Sequence, residues 1–202
     1  MSAKYLYLAS RSARRQQLLR QIGVEFSCRA ADVDESSLDG EEAAVYVERL
    51  AVEKVQDVAR SAGQGDAVVL AADTAVVLDG RIFGKPANRD DAREMLRALS
   101  GKEHRVFTAV AVSADGKTAT RLSVSEVTMR PLGKALIECY WQTGEPEGKA
   151  GGYAIQGYAA GFIASLSGSY SGVMGLPLCE TVELLEQAGI GWALQHEPVK
   201  HG

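Results

Sequence analysis

Cysteine is scarce in this sequence, and the few cysteines that occur lie far apart. The 202 residues contain Cys28, Cys139 and Cys179, and none of them belongs to a Cys-x-x-Cys pair. Disulfide-rich secreted folds and structural zinc sites both need such paired spacings. The odd count and the wide spacing therefore favour a reducing compartment, and we expect a cytoplasmic protein.

Long apolar runs and an excess of basic residues are also missing. No apolar segment approaches the roughly 20 residues that span a bilayer, and the apolar start at residues 5–9 is too short for a signal peptide. The formal net charge of −4 argues against a nucleic-acid-binding surface. We expect neither a membrane nor a nucleic-acid partner, although local basic clusters still permit a small polyanionic ligand.

The hydrophobic pattern predicts strands that alternate with helices. Strands are predicted near residues 4–9, 25–31, 67–78, 81–83, 104–114, 118–130 and 161–167. Helices are predicted near 13–22, 41–62, 88–99, 133–142 and 178–188. Asp-Gly pairs at 79–80 and 115–116 predict hairpins, so adjacent strands run antiparallel and the sheet is mixed. Because no Ser/Pro/Gly-rich linker divides the chain, residues 1–202 are predicted to form a single α/β domain.

One carboxylate lies within the most apolar predicted strand. Asp73 is the only charged residue of the segment 67–78. A buried carboxylate needs a cation, a metal or a hydrogen-bond cage to remain ionised, and a hydrolytic site supplies these. A strand-end aspartate that caps a turn or binds neighbouring amides explains the pattern equally well, so other segments must decide.

A polar cluster follows the first predicted strand. Ser10, Ser12, Arg14 and Arg15 occupy a turn and the start of the helix predicted at 13–22. Unpaired N–H groups and partial positive charge at a helix N-terminus favour anions. The alternative is an N-cap Ser12 followed by solvated arginines, but basic residues in a first turn oppose the helix dipole, which favours an anionic ligand.

Two lysines are candidates for the same site. Lys54 falls within the apolar stripe of the helix predicted at 41–62, so it is expected to point inward or along the rim. Lysines at such positions often extend the ammonium to solvent, and this alternative stays open. Lys85 follows the predicted hairpin and precedes Pro86, which indicates extended backbone at a strand exit.

A series of short motifs occurs in a characteristic order along nearly the whole chain. They include Ser-Arg-Ser-Ala-Arg-Arg at 10–15, Ala-Asp-Thr at 72–74, Gly-Lys-Pro at 84–86, Gly-Glu-Pro at 144–146 and Lys-Ala-Gly-Gly-Tyr-Ala-Ile-Gln-Gly at 149–157. Together they closely resemble the Maf family of nucleoside triphosphate pyrophosphatases, whose architecture is similar to that of the inosine triphosphate pyrophosphatases. Ala13 replaces the family's usual proline, but alanine is an excellent helix former. We therefore expect the anion-binding cluster at residues 10–15, called the anion seat below, to form without the proline.

The resemblance implies a fold and a reaction. The fold is a mixed twisted sheet flanked by helices, with a central cleft between two lobes. Asp73, Glu35, Lys54 and Lys85 are the implied catalytic residues, and Glu35 and Asp73 would hold a divalent metal cation, Mg²⁺ or Mn²⁺. The implied chemistry is attack of water on the α-phosphorus with release of pyrophosphate, Asp73 serving as general base or metal ligand.

The resemblance also assigns residues that bind the nucleoside triphosphate substrate. Ser10, Arg14 and Arg15 belong to the anion seat. Arg14, Thr74 and Gln156 match the family branch that acts on dTTP and UTP, whereas the branch acting on 7-methylguanosine triphosphate has other residues there. A glutamine amide can accept from N3–H and donate to O4 of uracil or thymine, but a rotated amide suits cytosine as well.

Two classes of function remain open at this point. One is a dTTP/UTP pyrophosphatase that clears non-standard nucleotides or influences cell division. The other is a regulatory, septum-related protein that senses a nucleotide with little turnover. The presence of Asp73, Glu35 and both lysines favours an enzyme, since a mere binder gains nothing from paired carboxylates beside a triphosphate. A homodimer would fit the family.

Overall fold

The computed structural model describes residues 4–62 and 66–195. The strands are β1 (Tyr5–Leu8), β2 (Ser27–Cys28), β3 (Ala67–Leu78), β4 (Arg81–Phe83), β5 (Glu103–Ala114), β6 (Lys117–Met129) and β7 (Ile163–Ser167). The helices are α1 (Ala13–Gln21), α2 (Ala43–Ala62), α3 (Arg89–Leu99), α4 (Lys134–Gln142), α5 (Tyr170–Met174) and α6 (Leu178–Gln187). Short 3-10 turns occupy Ala150–Gly152, Tyr158–Phe162 and Ala193–Gln195.

The strands form one mixed sheet. Its order is β2-β1-β3-β5-β6-β7, and β4 pairs with the end of β3. β1 runs parallel to both β2 and β3, whereas the remaining pairs are antiparallel. The prediction of a mixed α/β sheet flanked by helices is therefore confirmed, and the hairpins at both Asp-Gly pairs are present.

Alternation along β3 separates the two faces of the sheet. Val68, Leu70 and Val76 pack into a core that also includes residues of α1, α3, α4 and α6. Val69 and Val77, on the other face, pack into a second core with the apolar stripe of α2. Since successive strand residues point to opposite faces, the odd-numbered position 73 belongs to the α2 face.

Two helices bury the faces that their sequence periodicity predicts. Along α2, the buried stripe consists of Val47, Leu50, Ala51, Val55 and Val58, each at most 1% exposed. In α3 the Asn88 side chain caps the first turn by accepting a hydrogen bond from the Asp91 N–H group at 3.0 Å, and its inward residues are likewise buried. Burial of such stripes supplies most of the stability of helices in proteins.

The structure differs from the sequence-based assignment at two elements. The strand predicted at 25–31 is reduced to Ser27–Cys28, because it is a solvent-exposed edge strand that pairs only with the end of β1. The sequence does not predict helix α5, since five residues that include Gly172 give too little periodicity to detect.

Within the described ranges, no helix combines the length and the apolar character needed to cross a membrane. All three cysteines are exposed and unpaired.

Candidate active site

The candidate site lies at a gap in the strand pairing along one edge of β3. β1 pairs with Ala67–Leu70, and β4 pairs with Val76–Leu78 on the same edge. In the described part of the chain, no strand pairs with residues 71–75 on that edge. Asp73 and Thr74 lie in this gap and, as strand neighbours, point to opposite faces. Both line one cleft of about 930 Å³, so the cleft gives access to both faces.

Lys54 joins two carboxylates at the centre of the cleft. Its ammonium lies 2.6 Å from Asp73 Oδ1 and 2.7 Å from Glu35 Oε1. Lys54 and Asp73 are only 6% and 7% exposed. The inward alternative for Lys54 is therefore the observed one, because the α2 face of β3 presents Asp73 directly to it. Among the described residues, the Asp73 carboxylate accepts a hydrogen bond from Lys54 and none from a backbone amide.

Glu35 lies where the site meets solvent. Its second oxygen, Oε2, accepts a hydrogen bond from the Lys85 ammonium, and the Lys85 side chain is 56% exposed. Although partial burial alone would raise the pKa of Glu35, hydrogen bonds from the Lys54 and Lys85 ammonium groups lower that pKa to about 2. Glu35 is consequently ionised at neutral pH, and the structure brings together all four residues that the sequence assigned to catalysis.

The loop that carries Glu35 is held against α2 by two residues that sequence reasoning missed. Arg49 donates to both oxygens of Glu41, at 2.6 and 2.7 Å, and to the carbonyl oxygen of Ser36 at 3.1 Å. The Tyr46 hydroxyl donates to the carbonyl oxygen of Glu35 at 2.8 Å. Burial and then the Asp73 and Glu35 carboxylates raise the pKa of Tyr46 to about 12, so the hydroxyl keeps its proton. The sequence does contain a signal for these contacts: residues 46, 49 and 53 of α2 are three and four positions apart, which places their side chains next to one another on the helix surface.

Arg15 connects the anion seat to the β3 gap. Its guanidinium donates to the carbonyl oxygen of Gly175 at 2.7 Å and to the Thr74 hydroxyl at 3.3 Å. The Thr74 hydroxyl is also 3.1 Å from that of Thr108, which donates to the Gly172 carbonyl oxygen at 2.8 Å. Burial lowers the pKa of Arg15, while Asp73 and Glu35 act in the opposite direction. Arg15 is thus held at the end of α5, within electrostatic reach of Asp73 and Glu35.

Arg14 faces a different part of the cleft from Arg15. Its guanidinium donates to the carbonyl oxygen of Met174 at 3.2 Å. Burial and the neighbouring Arg15 charge lower the pKa of Arg14, while Tyr140 and Glu145 raise it. The sequence grouped both arginines in one anion seat, but different carboxylates act on them. Asp73 and Glu35 raise the pKa of Arg15, whereas Glu145 raises the pKa of Arg14.

The serines before α1 organise this seat. Ser12 is the N-cap of α1, and its side chain accepts from the Arg15 N–H group at 3.5 Å. Ser10 Oγ accepts from the Ser12 N–H group at 3.1 Å and lies 3.5 Å from Arg15 Nη1. The N-cap alternative for Ser12 is therefore observed, but the two arginines that follow are partly buried and hydrogen-bonded to carbonyl oxygens of residues 174 and 175. Helix α1 begins at Ala13, so the helix start is kept without the proline.

Gln156 lines the cleft next to Gly157, which lies against the Glu145 carboxylate, and Glu145 in turn raises the pKa of Arg14. Gln156 is exposed and lines the cleft together with Glu145, Lys149, Tyr153 and Gly157. Its side chain makes no hydrogen bond to any described residue, so the amide is available to a ligand. Burial and the Arg14 charge lower the pKa of Lys149, whose ammonium donates to the Glu147 carbonyl oxygen at 2.9 Å. Lys149 had not been assigned to the site from the sequence.

The cleft is cationic although the chain is acidic. Of the described residues, six cationic side chains line it, against three acidic ones. The cations are Arg11, Arg14, Arg15, Lys54, Lys85 and Lys149, and the acids are Glu35, Asp73 and Glu145. Opposite charge in a confined cleft attracts a polyanion and orients it. The arrangement is therefore suited to a phosphorylated ligand at Asp73, with a second, polar recognition region at Gln156.

The two central carboxylates can accept a divalent cation. Asp73 Oδ2 accepts no hydrogen bond from the described residues, and each Glu35 oxygen keeps a second lone pair. No group of three or more His, Cys, Asp or Glu residues suited to a metal occurs in the described ranges. A pair of carboxylates does not fit zinc, which takes three or four nitrogen, sulfur or oxygen ligands from the protein. It fits Mg²⁺ or Mn²⁺, which leave further positions to water and phosphate.

Comparison with known proteins identifies the family. A family model described as Maf-like protein matches residues 5–188. The chain belongs to the Maf family. A Maf relative named dTTP/UTP pyrophosphatase from Nitrosospira multiformis is 53% identical over 196 residues, covering 92% of this chain and 95% of its own. Proteins of the same name from Alkalilimnicola ehrlichii and Hahella chejuensis are 50% and 52% identical, covering 93% and 92% of this chain and 95% and 92% of their own.

One solved structure also matches most of the chain. It is a nucleoside-triphosphatase, or dITP/XTP pyrophosphatase, from Mycobacterium abscessus. The match has a TM-score of 0.43 at 12% identity and covers 92% of this chain and 95% of the other. The assignment to the Maf family rests on the sequence comparisons.

Proposed function

We propose that this chain hydrolyses dTTP and UTP to the nucleoside monophosphate and pyrophosphate. The observation that carries the proposal is the Lys54 ammonium shared by Asp73 and Glu35 at the centre of a cationic cleft. A nucleoside triphosphate matches this cleft in charge and in having both a polyanionic and a polar end. The names of the Maf relatives, at 50–53% identity, support the same substrates.

The residues of the chain divide the work of binding between two regions. Arg15, Lys54 and Lys85 surround the β3 gap, where they neutralise the triphosphate and orient the departing pyrophosphate. Arg14 and Gln156 face the nucleoside. Because the Arg15 and Arg14 guanidinium groups are held by consecutive carbonyl oxygens of residues 175 and 174, their separation is fixed before substrate arrives. Such preorganisation lowers the entropic cost of reaching the transition state.

Asp73 is the proposed general base for the attacking water. One of its oxygens is occupied by Lys54, and the other is open to accept a proton from water in the cleft. Lys54 fixes the carboxylate and balances its charge in a buried position. Attack of that water on the α-phosphorus produces the monophosphate. The bond between the α-phosphorus and the oxygen that bridges it to the β-phosphorus breaks, and pyrophosphate leaves with that oxygen.

A divalent cation, Mg²⁺ or Mn²⁺, is proposed to bind Glu35 and Asp73. When bound, it supplies charge neutralisation at the phosphate oxygens and polarisation of the phosphoryl group. The acidity of Glu35, with its pKa of about 2, keeps that ligand ionised over the whole physiological range. Chelation with EDTA should therefore abolish turnover, and added Mg²⁺ or Mn²⁺ should restore it.

The position of attack is tested by hydrolysing UTP in ¹⁸O-water. The proposal expects labelled UMP and unlabelled pyrophosphate, with dTTP behaving alike and ATP or 7-methylguanosine triphosphate turned over much more slowly. Primary formation of UDP and labelled orthophosphate would contradict it. A nucleotide sensor would instead bind UTP in equilibrium dialysis and yield neither product. The same purified protein in analytical ultracentrifugation tests the expected homodimer.

A further inference from the structure

The carboxylate of Glu145 accepts three hydrogen bonds from described residues close to Gln156 in the chain or in space. Its Oε2 accepts from the Tyr158 N–H group at 2.8 Å, and its Oε1 accepts from the Ala159 N–H group at 3.1 Å. Tyr158 and Ala159 begin a 3-10 turn whose own N-cap residue, Gly157, has no side chain to satisfy these groups. A carboxylate is the strongest partner for unpaired N–H groups at a helical N-terminus. Glu145 therefore caps the 3-10 turn from a distant position in the sequence.

The same carboxylate also holds the backbone before Gln156. The Tyr140 hydroxyl donates to Glu145 Oε1 at 2.8 Å and accepts from the Ala154 N–H group at 3.2 Å. The Tyr140 ring is itself fixed by an edge-to-face contact with Phe162, at 5.0 Å between centroids. The backbone is thus tied two residues before and two residues after Gln156 to one carboxylate. Since the Gln156 side chain has no partner among the described residues, this backbone alone sets its position.

The fit between Glu145 and Gly157 shows how tightly the loop is seated. A Cβ atom on Gly157 would lie 2.1 Å from Glu145 Oε2, well inside van der Waals contact. The Glu145 side chain cannot move aside without giving up its three hydrogen bonds. The oxygens of Glu145 are therefore occupied by the protein, which distinguishes this residue from Gln156, whose amide is free to bind a ligand.

We propose that Glu145 is a positioning residue for base selection: it fixes the loop that presents Gln156 to the pyrimidine edge. The inference rests on the proposed dTTP/UTP specificity and adds to it a residue that acts through Gln156. A base-reading amide discriminates best when the backbone that carries it is held in one place, because a displaced amide leaves polar groups unpaired on either side. Loss of Glu145 should consequently impair recognition more than chemistry.

The test compares Glu145→Gln with wild type in steady-state kinetics on UTP, CTP and ATP. The substituted amide keeps the volume of the side chain, but its NH2 group must face the N–H group of either Tyr158 or Ala159, so one of these two hydrogen bonds is lost. We expect KM for UTP to rise about tenfold with kcat changed less than about threefold, and the UTP-to-CTP and UTP-to-ATP ratios of kcat/KM to fall about tenfold. Glu147→Gln, at an exposed site two residues away, is the control and should match wild type.

A double-substitution cycle shows whether Glu145 acts through Gln156. Gln156→Ala should lower both ratios, and adding Glu145→Gln to it should lower them no further. Additive losses, or an equal fall of kcat for all three substrates, would overturn the inference because they indicate a general structural role. If Glu145→Gln fails to fold, Tyr140→Phe removes the bridging hydroxyl only and should shift the ratios in the same direction. Unchanged ratios in Tyr140→Phe would then overturn it.

Failure of the inference is distinguishable from failure of the proposed function. A wild-type protein that hydrolyses UTP selectively, and stays selective in Glu145→Gln, contradicts only the role of Glu145. A wild-type protein that shows no preference for UTP contradicts the proposed function, and the role of Glu145 with it.

Discussion

Lys54 Nζ lies 2.6 Å from Asp73 Oδ1, and both residues are more than nine-tenths buried. The pair joins α2 to the β3 gap and is completed by Glu35 at the solvent side. Buried charges are costly unless they are paired, and Lys54 is paired twice. One ammonium therefore links the stability of this region to the geometry of the proposed catalytic carboxylates.

Asp73→Asn should abolish turnover while leaving the fold intact. The amide is nearly isosteric and can still accept from Lys54, but it cannot take a proton from water. Loss of general-base assistance typically lowers kcat by about 10²–10⁴. Pyrophosphate release measures the rate, and an unchanged circular dichroism spectrum confirms the fold. Near-normal activity in the folded variant would remove Asp73 from the mechanism.

The two lysines should differ in their effects on stability. Lys54→Met leaves Asp73 buried without its cation, which should lower the free energy of unfolding by about 3 kcal/mol. Lys85→Met removes a half-exposed partner of Glu35 and should lower it by less than about 1 kcal/mol. Both should weaken use of UTP. Urea denaturation compares the variants, and equal stability losses would show that burial of the Lys54 pair has no energetic consequence.

Arg49→Met should reduce kcat/KM although Arg49 does not line the cleft. Its contacts with Glu41 and Ser36 hold the loop that carries Glu35, and misplacing a reacting group by about 1 Å can cost about 10²-fold. We expect a decrease of about 10- to 100-fold for UTP. Arg60→Met is the matched control, because Arg60 pairs with Asp57 on the exposed side of the same helix. Similar kinetics for the two variants would show that the contacts of Arg49 do not position Glu35.

His104 should make stability dependent on pH. Burial lowers the pKa of His104 to about 4, and Nε2 lies 2.8 Å from the Tyr153 hydroxyl. Because the folded state disfavours protonation of His104, protonation favours unfolding. The stability contribution of the neutral histidine is complete above its unfolded pKa of about 6.5 and is lost as the pH falls towards 4. Lowering the pH from 7.5 to 5 should therefore reduce the free energy of unfolding of wild type by about 2 kcal/mol.

The histidine prediction is checked by urea denaturation at both pH values, with His104→Gln as the comparison. The variant lacks the titrating group, so its decrease over the same interval should be smaller than that of wild type by about 2 kcal/mol. Parallel decreases would mean that protonation of His104 is not linked to folding.

The sequence by itself determined most elements of the fold. Strand β3, the hairpin after it and the buried stripe of α2 follow from periodicity and Asp-Gly turns, which depend on neighbours in the chain. Its motifs also gave the family and the residues of the candidate site. It failed where local signals were weak, at the two-residue strand β2 and the five-residue helix α5.

Only the tertiary structure decided how those residues meet. Whether Lys54 extends to solvent or binds Asp73 depends on which face of β3 packs on α2, and the separation of Arg14 from Arg15 depends on the carbonyl oxygens at the end of α5. The capping of the Gln156 loop by Glu145 joins segments that share no periodic pattern. Such contacts form between residues distant in sequence, so no local pattern encodes them; packing and the pairing of buried polar groups select them when the chain folds.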